Sequence, residues 1–568
     1  MSVSELRREV VDQVIVYGDV LEPPAANHVF ARVEEPPNLL HLVAALAQRD
    51  FYLVTMVAND ERELEDNCFK LYITLSHPRG DLFLTVEYLL SGETYPSLYP
   101  HYPAVDPFER EIRDLFGLCP DGERGRHVPR GSWLHSPYPP DVFPLRRDLT
   151  TAEIKQRIAA YNRQGVRPTT PLDTMRPGHG HLFFPVGPVH AGIIEPGWFV
   201  FEVGGEVIED LHIFLGYTHK GIERLFQSRM TLLDGWTLAE QVSGDASFAH
   251  SLAYCHAVEA LAGTDPPEAA HLLRGLFLEM ERIYNHVGDV AALAHDVALD
   301  VIASELGVIR EELLRLNAAV AGHRLLRGIN RPGGVVLPWP LEADRIRSTF
   351  ASCLERYREL TRALAYASHF RGRTVDTGIL TLEDARRVGA TGLVARASGI
   401  ARDYRRDHPW GVYRTAWAQE CLSRYPEEDA GLVEEARRGD VHARFLTRVL
   451  EVDTSAAVIE AILQHWERLP EHRETHFCEA VRFAPERDYN FALGYAESWR
   501  GDVVYWLMQD KLQRIYRCKV RDPSMLNWPA MRLAIIPHEV NGHQVETILP
   551  DFPVINKSFN LSYSGNDL

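Results

Sequence analysis

The chain has 568 residues, enough for roughly two to four domains, and its 45% hydrophobic and 24% charged content is that of an ordinary globular protein. A formal charge of −19 argues against a general nucleic-acid binder, which needs a basic face, and no stretch approaches the ~18 consecutive apolar residues of a membrane span. The seven cysteines (Cys68, Cys119, Cys255, Cys353, Cys421, Cys478 and Cys518) are scattered with no C-x-x-C pair, which argues against a zinc site or a self-contained iron–sulfur cluster and fits reduced thiols. The N-terminus, MSVSELRREVVDQ, is charged throughout and lacks the apolar region of a signal peptide, so the cytosol or the cytosolic face of a membrane is the expected location.

Residues 1–150 read as one α+β unit. NLLHLVAALAQRD places Leu39, Leu42 and Leu46 on one helical face. LYITLSH, a turn at PRGD and LFLTVEYLL form a hairpin pattern, with turn residues between apolar runs. DPFEREIRDLFGL predicts a helix opening at Asp106-Pro107, with proline at its favoured first position. The stretch Asp121 to Arg147, rich in Pro, Gly and Arg, reads as irregular. TTAEIKQRIAAYNRQG is helical, and RPTTPLDTMRPGHGHL marks a boundary near 165–182, so 151–182 is assigned as a linker. His179 and His181 in that linker read as solvated loop rather than as a metal site.

Residues 183–568 form the second domain. GPVHAGIIEPGWFVFEVGGEVI reads as strand, Gly-Gly turn, strand, and YTHKGIERLFQ starts a helix. The clearest helix carries Leu272, Leu276, Met280, Ile283 and Val287 as one apolar stripe. Further helices are expected at REELLRLNAAVAGHRLL, FASCLERYRELTRALAYA and HARFLTRVLEVDTSAAVIEAILQHW. The predicted fold is an α+β N-terminal domain followed by a mainly α-helical bundle domain with small β elements at its ends. His538-Glu539-x-x-x-His543 misses the i, i+4 spacing of a zincin helix. No G-x-G-x-x-G follows a strand, so direct NAD binding is not expected.

Two distant segments carry the chemistry. Residues 240–251 read E-Q-V-S-G-D-A-S-F-A-H-S, and the last eleven read S-F-N-L-S-Y-S-G-N-D-L. They resemble the paired metal-binding motifs of the large subunit of membrane-bound, energy-converting (group 4) nickel–iron hydrogenases, E-R-V-C-G-x-C-G-F-A-H-S and S-x-D-P-C-x-x-C-x-D. Ser243 and Ala246 replace the first cysteine pair, and Ser562 and Gly565 the second. Soft thiolates hold such a centre; a hydroxyl, a methyl and a hydrogen do not. The resemblance implies a hydrogenase-like scaffold without its metal. Ser243, Asp245, Ala246, Ser562 and Gly565 would then line one polar, water-filled pocket, unless bulkier neighbours close it. Asp245 reads either as a helix cap or as a carboxylate whose pKa is raised by desolvation.

The same domain resembles the 49 kDa subunit of respiratory complex I, and the N-terminal unit resembles its 30 kDa subunit. The signature E-R-E-x-x-D-x-F-G of the latter stands at Glu109–Gly117, and P-L-R-x-D at Pro144–Asp148. In that family the segment is an assembly surface. The fusion of both units, with the S-F-A-H-S wording around His250, points to the hydrogenase branch. Hydrogenases of this kind have a C-terminal extension removed after metal insertion, and the stop at Leu568 fits a chain without that step.

The resemblance implies further site residues. Glu223 in H-K-G-I-E-R-L matches a glutamate that relays protons; the plainer alternative is a surface pair with Lys220 or Arg224. His190 matches the first histidine of the quinone-binding H-P-x-x-H-G of complex I, but Ile194 stands at the second and cannot bond a quinone oxygen. Gln241 and Ser243 stand at the arginine and aspartate of its R-L-D motif. Arg396 in R-A-S-G either faces a partner's iron–sulfur cluster or makes a packed salt bridge. The chain is expected to bind no cofactor itself. It would pack, as a peripheral subunit on the cytoplasmic face of the cell membrane, against a small [4Fe–4S] subunit and antiporter-like membrane anchor subunits. The expected function is an oxidoreductase subunit without hydrogenase activity, with electrons from that cluster and protons through Glu223 coupled to ion translocation. Two alternatives stand beside it: a non-catalytic coupling module, and a quinone reductase subunit with an altered head-group site.

Overall fold

The computed structural model describes residues 3–78, 80–121, 133–134, 138–165, 175–190, 194–423, 430–484, 489–540 and 542–568. The N-terminal unit is a five-stranded sheet in the order Asp19–Leu21, His28–Val33, Phe83–Leu89, Phe69–Ser76, Tyr52–Asp60. The predicted hairpin forms, antiparallel with Ile73 opposite Val86, while His28–Val33 joins the same strand in parallel. One sheet face (Met56, Leu71, Ile73, Leu84, Val86) buries the apolar stripes of Val3–Val14, Pro36–Ala47 and Asp106–Phe116. The last helix opens at Asp106-Pro107 and stops at Gly117, whose φ of 68° suits a residue without Cβ. The helix Thr151–Arg163 follows, held by a Thr150–Glu153 capping box. Parts of the predicted irregular stretch (122–132, 135–137) and of the predicted boundary (166–174) lie outside the described residues.

In the second domain the helices Ser247–Ala262, Glu268–Asp296, Asp300–Ala321, Ala343–Tyr366 and Val441–Trp466 share one apolar core. The Gly204-Gly205-Glu206 turn joins strands Trp198–Gly204 and Val207–Phe214, and Leu182–Val186 adds a third strand. His538–Val540 and His543–Val545 pair as a hairpin, so that histidine motif lies on strands.

One sheet has a larger role than a peripheral β element. Strands Phe491–Glu497, Asp502–Gln509 and Ile515–Arg521 lie between the two units. One side packs on Ser247–Ala262 so closely that a Cβ at Gly494 would lie 2.0 Å from the Ala253 carbonyl oxygen. On the other side Phe491, Val504, Trp506, Met508 and Tyr516 meet Val54, Val57, Tyr72 and Phe83 of the N-terminal sheet. The Tyr72 and Trp506 rings lie 4.7 Å apart, and burial of large side chains of this kind stabilises by about 1.5–3 kcal/mol each. The N-terminal unit is thereby fastened over the strand that carries Arg517, Lys519 and Arg521.

Candidate functional site

The two motif segments meet. Gly244–Ala246 is a single 3-10 turn leading into Ser247–Ala262. Ser562 caps the short helix Tyr563–Asp567, accepting the Gly565 N–H at 2.9 Å. The Ser243 and Ser562 hydroxyl oxygens are 2.9 Å apart, although the residues are 319 positions apart in sequence. Ser243 donates its proton to Asp245 Oδ1 at 3.0 Å, so Ser562 must donate to Ser243. Ala246 is buried beside them. A Cβ on Gly565 would lie 2.6 Å from the Asp522 carboxylate, so Asp522 fills the space beside that position.

Asp245 caps no helix. Its carboxylate is held in a bidentate pair by Arg500 at 2.6 and 2.7 Å, and Arg500 stacks on Trp499 with its guanidinium 3.9 Å from the ring centre. Asn285 and Trp499 donate to the Asp245 carbonyl at 2.7 and 3.1 Å. Burial pushes this carboxyl up, but the charge and hydrogen bonds of Arg500, helped by Ser243, hold it below the usual carboxylate range. Neither the capping role nor the raised pKa is found, because neither expectation included Arg500. Behind Gly565, Asp522 accepts the Ser524 N–H at 2.7 Å and lies 3.1 Å from His250 Nε2. His250 Nδ1 is in turn 3.0 Å from the Tyr505 hydroxyl. Both motif segments thus end in buried polar networks, joined where the Ser562 N–H donates to the Ser524 hydroxyl.

A nickel–iron centre does not fit these residues. Two of the four ligand positions carry hydroxyls bonded directly to each other, and the other two carry no donor atom. Asp522 packs against the Cα of the fourth. Among the described residues no group of three or more His, Cys, Asp or Glu could hold a metal. Cys255 and Cys518 are buried elsewhere, and burial pushes both thiols well above their usual range, away from the thiolate form.

Glu223 lies in the first turn of Ile222–Arg229 and is 3% exposed. Its partners are Arg517 at 2.7 Å, Lys519 at 3.2 Å and the Val520 N–H at 3.0 Å, so the alternative of a surface pair with Lys220 or Arg224 does not form. Lys220 instead donates to the carbonyls of Gln241 and Val242, and Arg224 to those of Arg146 and Leu149. Burial pushes the Glu223 carboxyl up, but Arg517 and Lys519 outweigh it and hold it low.

His190 lies one layer out from the serine pair. Its Nε2 is 2.7 Å from the Gly197 carbonyl, and Gly197 packs on the ring of Tyr563, the residue after Ser562. Ile194 packs on the core, and residues 191–193 between them lie outside the described residues. Arg396 is 10% exposed and pairs with Glu451 at 2.6 Å and Glu497 at 2.8 Å, which is the packed-salt-bridge arrangement. Sequence reasoning missed Asp522, Tyr505, Arg517 and Lys519. The available signal was I-Y-R-C-K-V-R, with three cations at alternate positions of one strand.

The family described as "Respiratory-chain NADH dehydrogenase, 49 Kd subunit" matches residues 306–567, and "Respiratory-chain NADH dehydrogenase, 30 Kd subunit" matches residues 33–155. Formate hydrogenlyase subunit 5 of Escherichia coli (strain K12) is 32% identical over 91% of this chain and 84% of its own length. Hydrogenase-4 component G of the same organism is 30% identical over 92% and 84%. Among solved structures, a chain of the membrane-bound sulfane sulfur reductase, an archaeal respiratory membrane complex, superposes with a TM-score of 0.59 at 20% identity. That match covers 69% of this chain and all of the other, and shows a shared fold. The chain therefore belongs to the family that unites the respiratory NADH dehydrogenase 49 kDa subunit with the group 4 hydrogenase large subunits, and carries a 30 kDa-type unit at its N-terminus.

Proposed function

We propose that this chain is the large subunit of a membrane-associated, hydrogenase-related oxidoreductase complex that works without a nickel–iron centre. The observation that carries this reading is the 2.9 Å hydrogen bond between Ser243 and Ser562 where the resemblance calls for thiolates. No helix among the described residues is long and apolar enough to cross a membrane, so attachment to the cytoplasmic face runs through antiporter-like anchor subunits. Electrons come from a [4Fe–4S] cluster in a small partner subunit, and protons pass through Glu223, coupled to ion translocation. What supports Glu223 in that role is its burial beside a small cavity and in contact with two cations, a perturbed carboxyl of the kind that marks functional-site candidates. The test is a viologen-linked hydrogen assay on the complex purified from its native membrane. Absence of hydrogen uptake and evolution, with reducible iron–sulfur signals in the partner, is the expected result; hydrogen turnover would refute it.

A second reading, a coupling module without a substrate of its own, is favoured by the pairing of the site's polar groups with one another: Asp245 is held by Arg500, and Asp522 packs on Gly565. A quinone analogue that binds the complex and is displaced by His190→Ala would decide against it and for a quinone reductase.

A further inference from the structure

The N-terminal unit reaches into the Glu223 site with two side chains that an assembly surface does not require. Glu111, on Asp106–Phe116, is 4% exposed and grips Lys519 Nζ with both oxygens, at 2.7 and 2.6 Å. The same ammonium lies 3.2 Å from Glu223, whose other cation is Arg517. Tyr138 is the second intruder, its hydroxyl 2.8 Å from His219 Nε2. His219 Nδ1 lies 2.8 Å from the Asp567 carbonyl, which only accepts, so Nδ1 carries the proton and the neutral ring accepts from Tyr138 at Nε2. Between these groups is a cavity of about 10 Å³, room for one water, lined by Glu111, Tyr138, His219, Glu223, Arg224 and Asp567.

We propose that Glu111 and Glu223 form one proton-exchange site, in which Glu111 takes up a proton through the cavity and Lys519 transmits the change in charge to Glu223. The inference rests on the reading of Glu223 as the proton-handling residue. In the step, a cavity water passes one proton to the Glu111 carboxylate and is reprotonated from solvent, and no electron moves. Lys519, released from Glu111, is then held by Glu223 alone.

The surroundings set the two carboxyls apart, as acid–base pairs require. Burial pushes Glu111 up to about 7, with the like charge of Glu223 adding to it against the opposing pull of Lys519 and Arg517. Glu223, touched by both cations and a backbone N–H, is held low. The other glutamate of the E-R-E segment has a plainer role. Glu109 accepts from Ser97 and the Leu98 N–H within its own unit.

Infrared difference spectroscopy of the purified full chain, titrated between pH 8 and pH 6, tests this without turnover. Buried Glu109, Glu281 and Glu497 also titrate in this range, so the readout is wild type minus variant. Glu111→Gln is expected to abolish one protonated-carboxyl band that grows in the wild type around neutral pH. Glu223→Gln, which removes the like charge and frees Lys519, is expected to shift the midpoint of that band to lower pH. Glu111→Asp, which keeps a carboxyl, should retain the band if Glu111→Gln does not fold. An unchanged band in Glu111→Gln, or a midpoint unmoved in Glu223→Gln, would overturn the shared site. A turnover assay in which Glu223→Gln stays fully active would instead sink the Glu223 reading and leave the infrared result standing.

Discussion

Replacement of Lys519 by methionine isolates the contact on which the joint between the two units turns. Methionine nearly matches the stem in volume but removes the ammonium that lies 2.6 Å from Glu111 and 3.2 Å from Glu223. Lys519 is 1% exposed, so water cannot replace it. Removal of one partner from a buried ion pair costs about 3–5 kcal/mol, because the remaining charge stays buried and unpaired. At about 1 °C per kcal/mol for a chain of this length this lowers the melting temperature by roughly 3–5 °C. The penalty depends on pH with a definite sign. Glu111 already sits above its ordinary value of 4.5, at about 7, and loss of Lys519 pushes it further up. A carboxyl with a raised folded-state pKa contributes stability that is lost as pH rises through that pKa. Lys519→Met is therefore less damaging at pH 6 than at pH 8. Adding Glu111→Gln removes the stranded charge and restores part of the loss. The assay is thermal unfolding of both variants at the two pH values and fixed salt. A Lys519→Met protein that melts within a degree of the wild type, or a penalty independent of pH, would refute the reasoning.

Other sites give independent checks. Gly565→Ala places a methyl 2.6 Å from the Asp522 carboxylate, which His250 and Ser524 hold in place, and should cost about 1–3 kcal/mol; an unchanged melting temperature would mean that the site is looser than described. Glu279 is drawn down to about 2 because Arg405 and Arg282, with Ser455 and Tyr413, outweigh its burial. A carboxyl lowered from 4.5 contributes about 3 kcal/mol that is present above pH 4.5 and lost as pH falls toward 2. Glu279→Gln should thus destabilise at neutral pH and flatten the acid limb of the stability curve. Arg500→Met strips Asp245 of its bidentate partner at a cost of about 2 kcal/mol, discounted for the partial exposure of that carboxylate, and is read by the same melts.

The fold was legible where apolar and polar residues alternate with a helical period, even in a helix that is buried nearly all round. Leu272, Leu276, Met280, Ile283 and Val287 mark a helix because the opposite face is more polar, and the helix is found over Glu268–Asp296. Ser247–Ala262 left no such mark, since all but three of its sixteen residues are buried and the pattern has no period. The same holds for Asp502–Gln509 and Ile515–Arg521, buried at every position. For the site, two motifs 319 residues apart were enough to bring Ser243 and Ser562 to attention, because their neighbours keep the wording of a metal site. His250 belongs to the first motif itself, whereas the other groups around the site, Asp522, Tyr505 and Arg500, come from the joint sheet and its edges. Only tertiary packing brings them there, and no spacing announces it. The alternative of a surface ion pair for Glu223 arose because its sequence neighbours Lys220 and Arg224 are cations, whereas its actual partners lie some 300 positions away.

Elemental analysis of the complex purified under conditions that keep its iron–sulfur partner intact asks the decisive question. Iron attributable to that partner and no nickel above background is the expected result. Nickel at one equivalent per chain, retained after dialysis against chelator, would contradict it.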